Sequence, residues 1–356
     1  MTNKRNLVLA RRYEDDGRVQ EIITGDLISV LKEIRTSLLN GKLKRISHER
    51  CPLCKAEDFM VIARKDRLGL PVETLICEQC GLVFSGTYLN DSSAGLYYGK
   101  YANRFKNRGR SAQALFDSRT SPGSYAWLRY NWVREKIAKT GKEIKTVMEV
   151  GCNDGCNLLP YHKNGLEVFG CDFDEERMGP GRAAGLKLLT GGIEQLKKVD
   201  HQADLLIYSH SLEHMPNVDR ALREAKDILS ADGMIYIEVP GIKYWNRKRS
   251  EPVPDKWLRS GNDLLAYLQM EHNYCFEWRT LKHFAARNGL VPLIGDEFIR
   301  SLFQCGMSQD VNGAWPDKQG ERVYKYLFDL EKDWQKSNPF WRRAARKIKR
   351  QFERIL

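Results

Sequence analysis

The chain predicts an α/β fold built on one doubly wound, mostly parallel sheet, and three observations carry that prediction. Lys145–Leu158 reads KTVMEVGCNDGCNL. It is a short apolar run closed by Gly151, Asn153 and Gly155 and followed by helix-like sequence, the grammar of a strand, a tight turn and a helix N-terminus that admit a nucleotide-like ligand. Apolar runs and amphipathic segments then alternate, with strands at 147–150, 167–172, 187–190, 204–209 and 234–239 and helices at 155–164, 175–184, 217–229 and 277–288. Such alternation places ligands at the C-terminal ends of the strands. The second strand ends in an acid, Asp172, about 20 residues after Gly151, where a carboxylate can accept from both hydroxyls of a ribose. LVPLIGDEF and RSLFQCGMS close the sheet as an antiparallel hairpin and bring it to seven strands.

At 356 residues the chain holds one large α/β domain and a small accessory one. Its 42% hydrophobic content fills a sizeable core. No apolar run reaches transmembrane length, and the first residues are too charged for a signal peptide, so the cytoplasm is expected, with attachment to the inner membrane surface left open. In that compartment nine cysteines suggest metal ligands or reactive thiols before disulfides. The formal net charge of +12 is concentrated in Tyr98–Arg134 and in the terminal WRRAARKIKRQFERIL. It attracts phosphate, nucleic acid or an anionic membrane without choosing among them.

Taken in order, residues 1–50 form a polar segment with one amphipathic helix at Val19–Leu39, its apolar face made by Ile22, Ile23, Leu27, Val30, Leu31, Ile34 and Leu38. Residues 51–90 form a ribbon. CPLC (Cys51, Cys54) and CEQC (Cys77, Cys80) flank the strand-like FMVIA and VETLI. Two such knuckles on a hairpin bring four thiolates to one tetrahedron, which suits a structural Zn²⁺ with no open ligand position. Residues 91–144 carry Tyr97, Tyr98 and Tyr101, then Lys100, Arg104, Lys106, Arg108 and Arg110. They fit equally a lid with Arg forks over an anionic substrate and a solvated basic linker. A helix over Ser124–Thr140 leads into the main domain at 145–312. Residues 313–356 form a tail whose 340–356 segment predicts a basic amphipathic helix, suited either to an anionic membrane surface or to packing on protein.

The turn departs from a dinucleotide fingerprint, because Asn153 holds the place of the middle glycine. E-x-G-x-x-x-G after a strand instead resembles motif I of class I methyltransferases, which bind S-adenosylmethionine (SAM) on a Rossmann-like sheet. The resemblance implies that Glu149, Gly151, Asn153 and Gly155 form the cofactor turn. It further implies that Asp172 holds the ribose and that Phe173 and Ile193 border the adenine. SHSLEHMP resembles the signature after strand four of the same class, which sets Ser209 and His210 beside the methionine part and the reacting methyl. Glu213 and His214 resemble part of a divalent-ion motif of some ubiquinone-pathway O-methyltransferases; with His210 in the first position, they are read here as a structural pair.

CGLVFSGTYLNDSSAGLYYGKYANRF, and LQMEHNYCFEWRTLKHFAARNGL at 268–290, resemble passages of bacterial sugar methyltransferases that carry an N-terminal zinc-binding subdomain. That resemblance sets Glu271 and His272 at the substrate, with Tyr97, Tyr98, Tyr101, Arg104 and Tyr274 lining it. The expected base is His272, near neutral pKa and oriented by a carboxylate, with His210 next. The absence of a further α/β domain after the Glu-His segment favours O-methylation over C-methylation. The expected function is thus SAM-dependent methylation of a sugar hydroxyl in a nucleotide sugar or a growing surface glycan, with a membrane surface or glycosyltransferase as a further partner. The alternatives are a zinc-ribbon RNA methyltransferase, disfavoured because the basic residues are not interleaved as an RNA groove requires, and a non-catalytic scaffold for a membrane glycosyltransferase.

Overall fold

The structure is a computed structural model that describes residues 3–20, 25–102, 104, 110–242, 263–297, 300–307 and 315–338. The chain opens with strand β1 (Asn3–Asn6) and helix α1 (Gly25–Leu39). Strands β2 (Arg45–Ser47), β3 (Asp58–Lys65), β4 (Pro71–Cys77), β5 (Val83–Ser85) and β6 (Thr87–Leu89) follow. Helices α2 (Asp91–Tyr97), α3 (Ala112–Thr120) and α4 (Tyr125–Ala138) lead to the main sheet.

There β7 (Thr146–Val150), α5 (Leu159–Lys163), β8 (Glu167–Asp172), α6 (Glu175–Ala183) and β9 (Lys187–Thr190) alternate. They continue through α7 (Ile193–Leu196), β10 (Ala203–Ser209), α8 (Val218–Asp227) and β11 (Leu229–Glu238). The last described elements are β12 (Tyr274–Cys275), α9 (Trp278–Arg287), β13 (Leu290–Gly295), β14 (Arg300–Cys305) and α10 (Gln319–Ser337).

Seven strands form the main sheet in the order β13-β14-β11-β10-β7-β8-β9. The five from β11 to β9 run parallel, and the β13–β14 hairpin closes one edge antiparallel. Alternate residues of the central strands enter two separate cores. Met148, Leu206 and Tyr208 pack on one face, and Val147, Leu205 and Ile207 on the other. A strand buried on both faces reads as a continuous apolar run, which is why these strands lie within a few residues of their predicted limits. Helix α5 starts at Leu159 rather than 155, because Gly155 at φ +77° cannot be its first turn.

The ribbon is larger than its cysteine spacing implied. Its sheet has five strands in the order β1-β3-β4-β5-β12. Residues 1–50, expected to be helical, thus also supply an edge strand, and the Glu-His segment adds the opposite edge. Helix α10 packs on the same sheet, with Val323, Leu327 and Leu330 against Met60, Ile62 and Ile76. A side chain at Gly320 would meet the backbone of Glu78 at 2.6 Å, so helix and knuckle are in direct contact. The basic helix predicted for 340–356 lies outside the described residues. Among the described residues, no helix is long and apolar enough to cross a membrane.

Candidate active site

The site is assembled at the C-terminal ends of β7, β8, β10 and β11. Glu149 stands inside β7, fully buried; its Oε1 accepts from Asn157 Nδ2 at 2.6 Å and its Oε2 has no partner. Burial raises its pKa to about 8, against the pull of the Asn157 hydrogen bond. The following turn holds Gly151, Asn153 and Gly155 at φ +74°, +52° and +77°. A side chain at Gly151 would meet Ser211 Cβ at 2.7 Å, and one at Gly155 would meet Leu186 and Leu188 methyls at 2.8 and 2.9 Å. Both glycines are therefore needed for packing of the turn as well as for its conformation.

Asn153 takes the left-handed conformation that its short polar side chain tolerates. Its N–H donates to Asp172 Oδ2 at 2.8 Å, and its Oδ1 accepts from Arg119 at 2.9 Å. Asp172 Oδ1 accepts from Asp174 N at 3.0 Å. Beside it Phe173 is 71% exposed, an uncovered ring at the strand end, while Ile193 is buried in the core. These residues fit SAM on one observation above all: the partnerless Glu149 Oε2 is an acceptor buried beside the glycine turn.

Ser209 ends β10, and His210 follows at φ +53°. The half-exposed His210 ring lies between two carboxylates, with Nδ1 3.6 Å from Glu213 Oε1 and Nε2 3.5 Å from Glu238 Oε1. Desolvation lowers its pKa, but the two acids outweigh it and raise the group to about 9. Glu238 accepts from Tyr125 Oη and Tyr236 Oη at 2.5 Å each and from Arg129 Nε at 2.7 Å. Arg129 also donates to Asn157, so one buried network runs from Glu149 to His210. Burial alone would raise Glu238, yet Arg129 and His210 hold it well below the usual carboxylate range.

Two more imidazoles approach Glu213. His214 and His272 meet edge to face at 4.9 Å between ring centres. His214 Nδ1 donates to the Glu271 carbonyl at 3.0 Å and lies 3.2 Å from Tyr98 Oη. Glu213 is fully buried, and neither of its oxygens has a partner within hydrogen-bond distance. Glu213, His214 and His272 bring one ligand atom each within 4.8 Å of one another, a spacing a metal ion could use.

Several predicted site residues stand elsewhere. His272 is not oriented by Glu271: its Nδ1 donates to the Tyr267 carbonyl at 3.1 Å, while Glu271 Oε2 accepts from Tyr97 Oη at 2.7 Å. Burial and the neighbouring His214 lower His272 to a pKa of about 3, far from neutral. Tyr101 is a core residue whose hydroxyl meets Ser37 Oγ, and Tyr274 stacks on Phe276 and donates to the Pro216 carbonyl. Tyr97 and Tyr101 are four apart, so they share the helical face turned to the core, while Tyr98 points to the imidazoles. Arg104 lies at the surface, 3.9 Å from Glu33. Sequence reasoning missed Tyr125, Arg129, Asn157 and Glu238. The available signal was an acid inside the apolar run MIYIEV, since a charge in a buried strand needs a partner.

At the ribbon, the four cysteine sulfurs lie within 4.8 Å of one another and form no disulfide. Cys51 and Cys80 are 3.6 Å apart, and Cys54 and Cys77 are 3.4 Å apart. The sulfur–sulfur edge of a tetrahedral zinc–thiolate site is about 3.8 Å, so the cluster is compatible with zinc.

Residues 127–293 match the protein family described as Methyltransferase domain. The ubiquinone biosynthesis O-methyltransferase of Stutzerimonas stutzeri (strain A1501) is 27% identical over 119 residues, 31% of this chain and 49% of that protein. Its counterpart in Pseudomonas paraeruginosa (strain DSM 24068 / PA7) is 28% identical over 120 residues, with the same coverage. The chain spans about half the length of the curated relatives it matches. Similar solved structures include the plantazolicin methyltransferase BamL with a triazolic desmethylPZN analog and SAH, at 13% identity and TM-score 0.43, covering 68% of this chain and 88% of that one. Magnesium protoporphyrin IX methyltransferase (ChlM) from Synechocystis PCC 6803 with bound SAM is 12% identical at TM-score 0.39, covering 60% of this chain and 95% of that one. The strands β7 to β11 and the turn after β7 all fall within residues 127–293, the stretch that matches a methyltransferase domain.

Proposed function

We propose that the protein transfers a methyl group from SAM to a sugar hydroxyl, in a nucleotide sugar or a growing surface glycan, and that Cys51, Cys54, Cys77 and Cys80 hold a structural zinc ion. The observation that carries the reading is the cluster of His210, Glu213, His214 and His272 at the strand ends next to the glycine turn and Asp172. The sugar acceptor is supported by three features in one order along the chain: the ribbon, the tyrosine passage and the Glu-His segment.

SAM, when bound, supplies a methyl group made electrophilic by its sulfonium. Asp172 would hold the ribose, Phe173 the adenine, and Glu149 the ammonium group of the amino-acid end. An acceptor hydroxyl must lose its proton as it attacks. In its unprotonated form His210 is the base, since its ring is half-exposed at the strand end and each nitrogen has a carboxylate oxygen within 3.6 Å; with its pKa raised to about 9, that form is the minor one at pH 7 and grows as the pH rises towards 9. A proton received on Nδ1 or Nε2 is stabilised by Glu213 or Glu238, and the Arg129–Tyr125–Tyr236 cage keeps Glu238 ionised and in place. His272, neutral at physiological pH, and Tyr98 supply uncharged polar groups to position the acceptor.

The test is chemical analysis of the surface glycan from cells with and without the protein. Loss of one methyl ether on deletion, restored by the intact chain and not by His210→Ala, is the expected result. An unchanged methyl-ether content removes the sugar acceptor.

A further inference from the structure

We propose that Asp66, in the turn of the ribbon hairpin, is a positioning residue that holds the active-site loop Leu268–Cys275 in place; the inference rests on the methyl-transfer reading above. Asp66 is 1% exposed and lies in the β3–β4 turn. Its Oδ1 accepts from Leu68 N at 2.8 Å and Leu70 N at 2.9 Å, which closes the turn. Its Oδ2 accepts from Met270 N at 3.1 Å, in the loop that carries Glu271 and His272. The two oxygens therefore do separate things, one local to the ribbon and one across to the active site.

The surrounding bonds continue that division. On the ribbon side, Arg67 N donates to the Leu268 carbonyl at 2.8 Å and Ser85 N to the Asn273 carbonyl at 2.9 Å, and β12 pairs with β5. Towards the cluster, Asn273 N donates to the Glu213 carbonyl at 2.8 Å, and the Glu271 carbonyl accepts from His214. The loop is thus stretched between the ribbon and the imidazoles. Met270 and Glu271 are adjacent, so a shift at the Met270 amide reaches the group that orients His214. A ribbon built this way sets active-site geometry, and preorganisation of that kind governs turnover more than cofactor affinity.

Asp66→Asn separates the two roles. An amide keeps one acceptor oxygen for Leu68 and Leu70 but presents an N–H₂ donor to the Met270 N–H, so the tether is lost and the turn is kept. Asp66→Ala removes both. In the full-length protein, backbone amide exchange over 268–275 should speed up about tenfold in Asp66→Asn, with exchange elsewhere unchanged. SAM affinity by calorimetry should stay within about twofold of wild type. In a deletion strain, Asp66→Asn should restore little of the glycan methyl ether that wild type restores. Unchanged loop exchange with full restoration overturns the proposal. A rise in exchange across the whole chain also overturns it, since Asp66 is then a general stability residue. If the wild-type chain itself restores no methyl ether, the sugar reading fails, and the exchange and SAM results still decide whether Asp66 tethers the loop.

Discussion

Glu149 is a carboxyl group whose burial opposes its charge, and it waits beside the glycine turn with one oxygen unused. Its pKa of about 8 lies above that of a solvated glutamate, so at pH 7 the ligand-free site holds it mainly protonated. A cationic ligand favours the ionised form and pulls the pKa down. SAM binding at pH 7 should therefore release a proton, and the release should fade above about pH 9, where Glu149 is already ionised. Calorimetry in buffers of different ionisation enthalpy measures this directly. The enthalpy should vary with the buffer for wild type and not for Glu149→Gln. A wild-type enthalpy independent of buffer at pH 7 removes Glu149 from the ammonium site.

Between elements, one buried connection joins the start of the chain to α10. Arg12 Nε donates to Glu331 Oε1 at 2.9 Å, Tyr13 Oη donates to Oε2 at 3.0 Å, and the Arg12 guanidinium lies 3.5 Å from the Trp334 ring centre. The guanidinium also pairs with Asp263 Oδ1 at 2.7 Å, so Arg12 holds two buried carboxylates: removing it strands both, at a cost of about 3–5 kcal/mol, whereas removing Glu331 leaves Arg12 paired with Asp263. Denaturant titration should show Arg12→Met strongly destabilised and Glu331→Leu less so, with the double variant still below wild type because Asp263 stays buried without its cation; equal losses for the two single variants would mean that Asp263 does not sustain Arg12 alone. This latch was not legible in the sequence, because its partners are three hundred residues apart and neither lies in a motif. The same holds for β1, whose residues NKRN carry no apolar alternation and become a strand only because β3 offers an edge. By contrast β7, β8 and β10 were readable to within a residue or so, since each is a buried run with its own turn chemistry. In the site, the glycine turn and Asp172 were equally plain. The pairing of Tyr97 with Glu271 and the pKa of His272 depend on which face of a helix meets which loop, and one-dimensional spacing carries little of that.

At the scale of the whole molecule, the ribbon is the junction: β1, the Glu-His loop and α10 all end on its sheet. The four cysteines stand at one end of that sheet, three of them fully buried. Four thiolates crowded within 4.8 Å, three of them out of water, repel one another unless a cation joins them. Structural zinc in small domains contributes on the order of 10 kcal/mol to folding. Here it would stabilise the docking of three distant segments as well as its own knuckles. Purified under reducing conditions, the protein should contain one zinc per chain by mass spectrometry of the metal. Chelation should lower the melting temperature of the entire chain in one transition, since β1, the Glu-His loop and α10 all pack on the ribbon sheet. Re-addition of zinc should restore both the transition and the exchange protection of 268–275. Two separate transitions after chelation, with the main sheet melting as before, would show that the ribbon is an independent module and that the junction does not couple it to the active site.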